Sequence, residues 1–294
     1  IKTLKFWKQN EWIETWKFWK RGNSENGWCF LNTDNDHYDW INEAKKQIKF
    51  KFSQNVIKDQ DFRSGSTWFV GTNFLDNNTQ GKIGTRQFSK KIIDNISSYF
   101  GTKIQYWDKG QVSICWPGYP KKDTLESEKS FNFRIKRFAS HIDGIIPLGS
   151  KKRRFAKEYH AFILGLPIMN NFKNNASIVV WEGSHKIFRN FFRNIYEGVS
   201  SNKISDIDIT ELYNECRNKV FTKCNVKKIV PNFKQPYLLD RHLLHGIDQW
   251  KDQNFGSYVI KHKHSVNNLS NGRIVVYFRP VFSDPYDWIY QWAI

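Results

Sequence analysis

At residues 103–116 the chain reads Lys-Ile-Gln-Tyr-Trp-Asp-Lys-Gly-Gln-Val-Ser-Ile-Cys-Trp. Two short runs rich in β-branched and aromatic side chains, 103–107 and 111–116, follow one another here, a composition that suits strands. The same texture recurs at 133–142, 160–166, 176–181, 236–240, 257–263 and 273–278, and each run reads as a strand. Upstream the pattern is helical. Asn10 can cap a helix with Trp12, Trp16 and Trp19 on one stripe, and Thr85 a second whose stripe is Phe88, Ile92, Ile96 and Tyr99 and whose end is Gly101. Two helices interrupt the strands. Ser184 can cap one that runs through Phe188 and Phe192, and Asp208 with Glu211 makes a capping box ahead of Leu212, Tyr213, Cys216 and Val220. The expected fold is mainly β with α, a β-sandwich or barrel buttressed by helices. With no repeat or low-complexity linker, residues 1–294 read as one domain, 1–102 a mainly helical N-terminal support and 103–282 the core.

Composition limits the classes open to such a chain. Aromatics make up 17% of the 294 residues and hydrophobic residues 39%, so a packed core is expected and global disorder is not. The formal net charge of +18 is spread along the chain as Lys among many Asn and Ile, a compositional bias more than a basic stripe for nucleic acid. Cys29, Cys115, Cys216 and Cys224 show no CxxC spacing, so neither a zinc ribbon nor a disulfide framework is indicated, and a cytoplasmic setting is expected. No apolar run approaches the roughly 20 residues that span a bilayer, so no membrane partner is expected.

The chemistry sits in two short segments. In Ser140-His141-Ile142-Asp143-Gly144 a His and an Asp stand two apart, and the period of a strand puts both side chains on one face. Far downstream, Leu244-His245-Gly246 places a histidine before a glycine suited to a turn at a site mouth. Two imidazoles and one carboxylate on one side of a metal leave positions open, as in the facial triad of non-haem iron(II) oxygenases. His242 competes with His245, but the odd interval puts it on the opposite face of a continuing strand.

With these residues in order, the sequence resembles the phytanoyl-CoA dioxygenase-like family of Fe(II)/2-oxoglutarate-dependent oxygenases. The matching segments are His141-Ile142-Asp143-Gly144, then Val180-Trp181-Glu182-Gly183-Ser184-His185-Lys186, Leu244-His245-Gly246, and residues 272–280 from Gly272 to Pro280. The resemblance covers about residues 103–282. It implies a double-stranded β-helix, a cupin-like jelly roll, with Fe(II), 2-oxoglutarate and O2 as cofactors, and His141, Asp143 and His245 as catalytic metal ligands. It further implies that Arg273 pairs with the distal carboxylate of 2-oxoglutarate. The family places that arginine shortly after the distal histidine, whereas here it lies 28 positions on, so a stretch around 250–268 must loop out or Arg279 takes the task.

Other residues have weaker claims. Arg137, on the His141 face of an unbroken strand, could meet a substrate carboxylate or phosphate, and His160 could line the pocket. Lys151, Lys152, Arg153 and Arg154 could form a basic rim for an anionic substrate. His185 reads as structural, and His262 and His264 as solvated. The implied reaction is hydroxylation of a small molecule coupled to decarboxylation of 2-oxoglutarate to succinate. An oxygenase acting on nucleic acid and a non-catalytic jelly-roll binding module stay as alternatives.

Overall fold

The computed structural model describes residues 25–54, 56–100, 104, 106–169, 175–251 and 265–291. The tryptophan helix around Trp12, Trp16 and Trp19, the strand at 257–263, and His262 and His264 lie outside the described residues. The strands, in chain order, are β1 (Trp28–Phe30), β2 (Phe62–Arg63), β3 (Trp68–Gly71), β4 (Gln111–Cys115), β5 (Ile145–Leu148), β6 (Arg153–Ala156), β7 (Phe162–Pro167), β8 (Ile178–Trp181), β9 (Val226–Ile229), β10 (Tyr237–Asp240), β11 (His245–Ile247) and β12 (Arg273–Phe278). They form a seven-stranded sheet in the order β1-β10-β7-β12-β4-β3-β2, a three-stranded sheet β11-β8-β9 and the hairpin β5-β6. Every pairing between these strands is antiparallel, so the fold is mixed α and β with antiparallel sheets.

β12 shows why the sheets stack. Its sequence, Arg-Ile-Val-Val-Tyr-Phe, is buried at every position except Tyr277, as expected of a central strand covered on both faces. Ile274, Val276 and Phe278 share one hydrophobic core with Trp40, Ile48 and Phe52 of helix Asn35–Ser53, and Ile92 and Ile96 of helix Lys90–Phe100. Val275, on the opposite face, packs with Ile163 and Leu239 and with Ile178, Val180 and Ile229 of the three-stranded sheet. The two sheets therefore lie face to face, and alternation carries Arg273 and Tyr277 into the space between them. The outer face of the small sheet, Val179 and Trp181, is covered by Phe188 and Phe192 of helix Ser184–Ile195, Tyr213 and Val220 of helix Thr210–Lys223, and Trp288 of helix Pro285–Tyr290.

Several local expectations are corrected. Residues 133–142 do not form a strand. Helix Glu128–Lys136 occupies their first part, capped by Ser127 Oγ, which accepts from Ser130 N at 3.2 Å, with Glu128 in its first turn and Arg134 and Lys136 in its last. Phe133 and Ile135 alternate as in a strand, but the cap and the charges complementary to the helix dipole prevail. Residues 104, 106 and 107 are not in a strand either. Ser89, not Thr85, caps helix Lys90–Phe100, its Oγ accepting from Ile92 N at 3.2 Å. Gly183, at φ 81°, is the N-cap that Ser184 was expected to be. Asp208 and Glu211 make no capping box; both turn to Arg153 instead. Helix Asn35–Ser53, opened by Asp34 Oδ1 accepting from His37 N at 3.0 Å, buries a stripe of Trp40, Ile41, Ala44, Ile48 and Phe52 and adds a helix to those the sequence suggests. The N-terminal part also contributes β1, β2 and β3 to the large sheet. No helix among the described residues is long and apolar enough to cross a membrane.

Candidate metal centre

After the turn at Phe138 and Ala139, whose φ angles are 56° and 52°, the chain enters Ser140-His141-Ile142-Asp143-Gly144. His141 makes an isolated antiparallel bridge with His245, N to O at 2.9 Å and 3.2 Å in the two directions. The pair therefore needs no long strand: the bridge alone fixes the two histidines against each other. Two glycines make the approach possible. A Cβ on Gly246 would lie 2.2 Å from the Phe138 carbonyl oxygen, and one on Gly144, at φ +84°, would lie 2.0 Å from that of Glu158. Both segments are also held from outside: Ile142 N donates to Tyr213 Oη at 3.1 Å, and Leu244 N to Ser184 Oγ at 2.9 Å.

The three side chains converge. Asp143 Oδ1 lies 3.1 Å from His141 Nε2 and 3.7 Å from His245 Nε2, and one ligand atom from each residue falls within 4.8 Å of the others. Adjacent donors about 2.1 Å from an octahedral ion sit about 3 Å apart, so the group could hold a metal ion with little rearrangement. The imidazoles are oriented alike. His141 Nδ1 bonds the Ala139 carbonyl and His245 Nδ1 the Leu243 carbonyl, each at 2.9 Å, which turns Nε2 of each ring toward Asp143. The side chain of His141 is 42% exposed and that of Asp143 11%, so the site opens on the His141 side.

Electrostatics favour the ligating forms. Burial pushes the Asp143 carboxyl up, but the Arg279 guanidinium and the two imidazoles outweigh it and hold it well below the usual carboxylate range. Burial presses His245 down to about 4, against the pull of Asp143, so at neutral pH it is uncharged. Desolvation opposes charging His141, yet the hydrogen bond and charge of Asp143 raise it. A cation entering here would compete with any proton on His141 for the same nitrogen, so its affinity should rise with pH.

The two arginines part company. Arg273 is buried between the sheets; Nη2 donates to Tyr277 Oη at 3.3 Å, while Nε and Nη1 have no hydrogen-bond partner among the described residues. Among the described residues no carboxylate lies within ion-pair distance of it. Arg279 instead reaches Asp143 itself, with Nη1 3.3 Å from Oδ2, and donates from Nη2 to Gln111 Oε1 at 2.6 Å. Gln111 and Glu158, which join this centre, had no signal in the sequence: only the antiparallel register of β4 opposite β12 brings Gln111 here.

Other candidates fall elsewhere. Arg137 is the C-cap of helix Glu128–Lys136 and lies over the Phe221 ring at 4.5 Å, on the helix-covered side of the small sheet, because the strand that would have aligned it with His141 is absent. His160 is buried, its Nδ1 on the Arg279 carbonyl at 3.0 Å and its Nε2 on Glu158 Oε2 at 2.9 Å, so it supports Arg279 rather than lining an open pocket. Arg153 is tied to Asp208 and Glu211, which removes it from a free basic rim. His242 is buried between Phe192 and Trp288, and His185 beside Gly27, both apart from the triad.

No family model matches the chain, and no curated protein matches it. Among solved structures it is similar to the non-heme alpha ketoglutarate dependent epimerase SnoN from nogalamycin biosynthesis, at 7% identity and a TM-score of 0.49 over 91% of this chain and 82% of that one. It is also similar to the carbocyclase SnoK from the same biosynthesis, at 8% identity and 0.45 over 90% and 83%. A third is EctD from S. alaskensis with 2-oxoglutarate and 5-hydroxyectoine, at 9% identity and 0.43 over 88% and 73%.

Proposed function

We propose that the chain is an Fe(II)- and 2-oxoglutarate-dependent dioxygenase with a double-stranded β-helix core, hydroxylating a small-molecule substrate as 2-oxoglutarate is decarboxylated to succinate. The observation that carries this reading is the convergence of His141, Asp143 and His245, with both imidazoles turned to present Nε2. Two nitrogens and one carboxylate oxygen on one side of an ion are the donor set of non-haem iron(II) oxygenases. The order of the segments around His141, Ser184, His245 and Arg273 supports a place among phytanoyl-CoA dioxygenase-like proteins. Strands β1 to β3 belong to the same sheet as β12, which supports reading residues 1–294 as one catalytic domain.

Arg273 supports 2-oxoglutarate as cosubstrate. A buried guanidinium with two donor nitrogens unpaired among the described residues is costly to leave without an anion and matches a carboxylate in bidentate geometry. Tyr277 Oη accepts from Tyr237 Oη at 2.9 Å and from Arg273, which leaves its own proton to donate to the same carboxylate. Gly165 makes room for this, since a Cβ there would lie 2.2 Å from Tyr237 Cζ. In this reading Arg273 and Tyr277 fix the far end of the cosubstrate, and the face-to-face sheets exclude water from it. His141, Asp143 and His245 would hold Fe(II), which with 2-oxoglutarate supplies the oxidising chemistry.

The test is succinate formation from 2-oxoglutarate under air with Fe(II) and ascorbate, in the wild type and in Asp143→Ala and Arg273→Ala. Turnover in the wild type that falls at least tenfold in both variants is the expected result. A wild type that binds neither Fe(II) nor 2-oxoglutarate would sink the reading and leave a binding module in its place.

A further inference from the structure

Asp143 divides its carboxylate oxygens between two tasks. Oδ1 faces His141 Nε2 at 3.1 Å and His245 Nε2 at 3.7 Å, whereas Oδ2 faces Arg279 Nη1 at 3.3 Å. Arg279 is fixed in turn. Its Nη2 donates to Gln111 Oε1 at 2.6 Å, its main-chain N donates to the Asp108 carboxylate at 3.2 Å and 3.3 Å, and its carbonyl bonds His160 Nδ1 at 3.0 Å. His160 Nε2 meets Glu158 Oε2 at 2.9 Å, and Glu158 N donates to the carbonyl of Gly144, next to Asp143, at 3.3 Å. The contacts close a ring from Asp143 through Arg279, His160 and Glu158 back to Gly144. The ring fixes the Arg279 main chain, and Asp143 and Gln111 fix its guanidinium, more firmly than an exposed pair would.

We propose that Arg279 is a positioning residue that keeps Asp143 a one-oxygen ligand and so preserves a coordination position for O2. This rests on the oxygenase reading. An octahedral ion offers six positions; two imidazoles and one carboxylate oxygen take three, and chelating 2-oxoglutarate takes two. One remains. A carboxylate bound through both oxygens, a common mode for Asp, would fill it. By engaging Oδ2 with one arm of a planar fork whose other arm is tied to Gln111, Arg279 prevents that rotation. The role accounts for a second arginine, just past the end of β12, beyond the one assigned to the cosubstrate.

The experiment loads the wild type, Arg279→Lys and Arg279→Met anaerobically with Fe(II) and 2-oxoglutarate. Nitric oxide is then titrated as a probe of the remaining position and read by electron paramagnetic resonance. Fe(II) and 2-oxoglutarate are expected to bind all three. Nitric oxide affinity is expected to fall about tenfold or more in Arg279→Met and less in Arg279→Lys, with the KM for O2 rising in step and the KM for 2-oxoglutarate unchanged. Should Arg279→Met fail to fold, Gln111→Leu, which removes only the hold on Nη2, is expected to weaken nitric oxide binding about threefold. Wild-type nitric oxide affinity in the folded variants overturns the proposal. Loss of 2-oxoglutarate binding in Arg279→Met with Fe(II) binding retained also overturns it, and makes Arg279 the cosubstrate's anchor. A wild type that binds no Fe(II) overturns the oxygenase reading itself and this proposal with it.

Discussion

Arg273 and Gly246 show how much a single residue can decide. An anion that pairs with the orphaned Nε and Nη1 of Arg273 binds the native state and not the unfolded one, so it must raise the melting temperature. At 100 times its Kd, 2-oxoglutarate is expected to add about 2.7 kcal/mol to the wild type and far less to Arg273→Ala, as thermal unfolding with and without the ligand would read. Gly246 works through the space it leaves. Gly246→Ala would press a methyl against the Phe138 carbonyl, now 2.2 Å from an ideal Cβ, and part the bridge between His141 and His245. The expected cost is about 1–3 kcal/mol, with a loss of metal affinity measurable by titration with Co(II). Unchanged affinity would mean that the bridge does not set the ligand geometry.

Among the elements, the two helices behind the small sheet carry the site through single hydrogen bonds. Ser184, in the first turn of its helix, accepts from Leu244 N, and Tyr213, on the next helix, accepts from Ile142 N, so each triad segment has one helix as its backstop. Ser184→Ala and Tyr213→Phe each leave a buried backbone N–H unsatisfied and are expected to cost about 1–3 kcal/mol. Because those N–H groups adjoin His245, His141 and Asp143, metal affinity should fall with stability in both variants. Chemical denaturation and metal titration on the same preparations check this, and a fall in stability alone would assign the helices a purely structural part. Such ties have no signature in the chain itself: Ser184 is 60 positions from Leu244 and Tyr213 is 71 from Ile142.

At the scale of the whole molecule the outer helical layer has a sensitivity to acid built into it. His242 is wholly buried, with neither ring nitrogen hydrogen-bonded, its ring 5.1 Å from that of Phe192 and 4.8 Å from that of Trp288. Burial first, then the Arg241 charge, holds it well below its ordinary value. The unfolded chain takes up this proton near pH 6.5 and the native chain does not, so the stability is present above that pH and declines as pH falls below it. His245, held at about 4 by burial, adds to the same slope. His242→Leu is expected to flatten the fall in stability between pH 7 and 5 by up to about 1.4 kcal/mol per pH unit, read as denaturation midpoints across that range. An unaltered slope would mean that His242 is charged in the native state.

What could be read along the chain was whatever depends on near neighbours. Runs of β-branched and aromatic residues marked β7, β8, β10 and β12 to within two residues, and the spacing in His141-Ile142-Asp143 and in His245-Gly246 set out the donors that later meet, because covalent proximity fixes how such side chains are presented. It failed at 133–142, where alternating apolar residues imitated a strand while the cap at Ser127 favoured a helix, and Arg137 was misplaced in consequence. The division of labour between Arg273 and Arg279 belongs to the tertiary structure alone. Arg273 opens β12 and Arg279 directly follows it, an even interval across which alternation cannot tell them apart. The positions of Asp143 and Gln111, 136 and 168 residues away, give one arginine a carboxylate and leave the other two donors open, since strand register and sheet packing decide which faces meet.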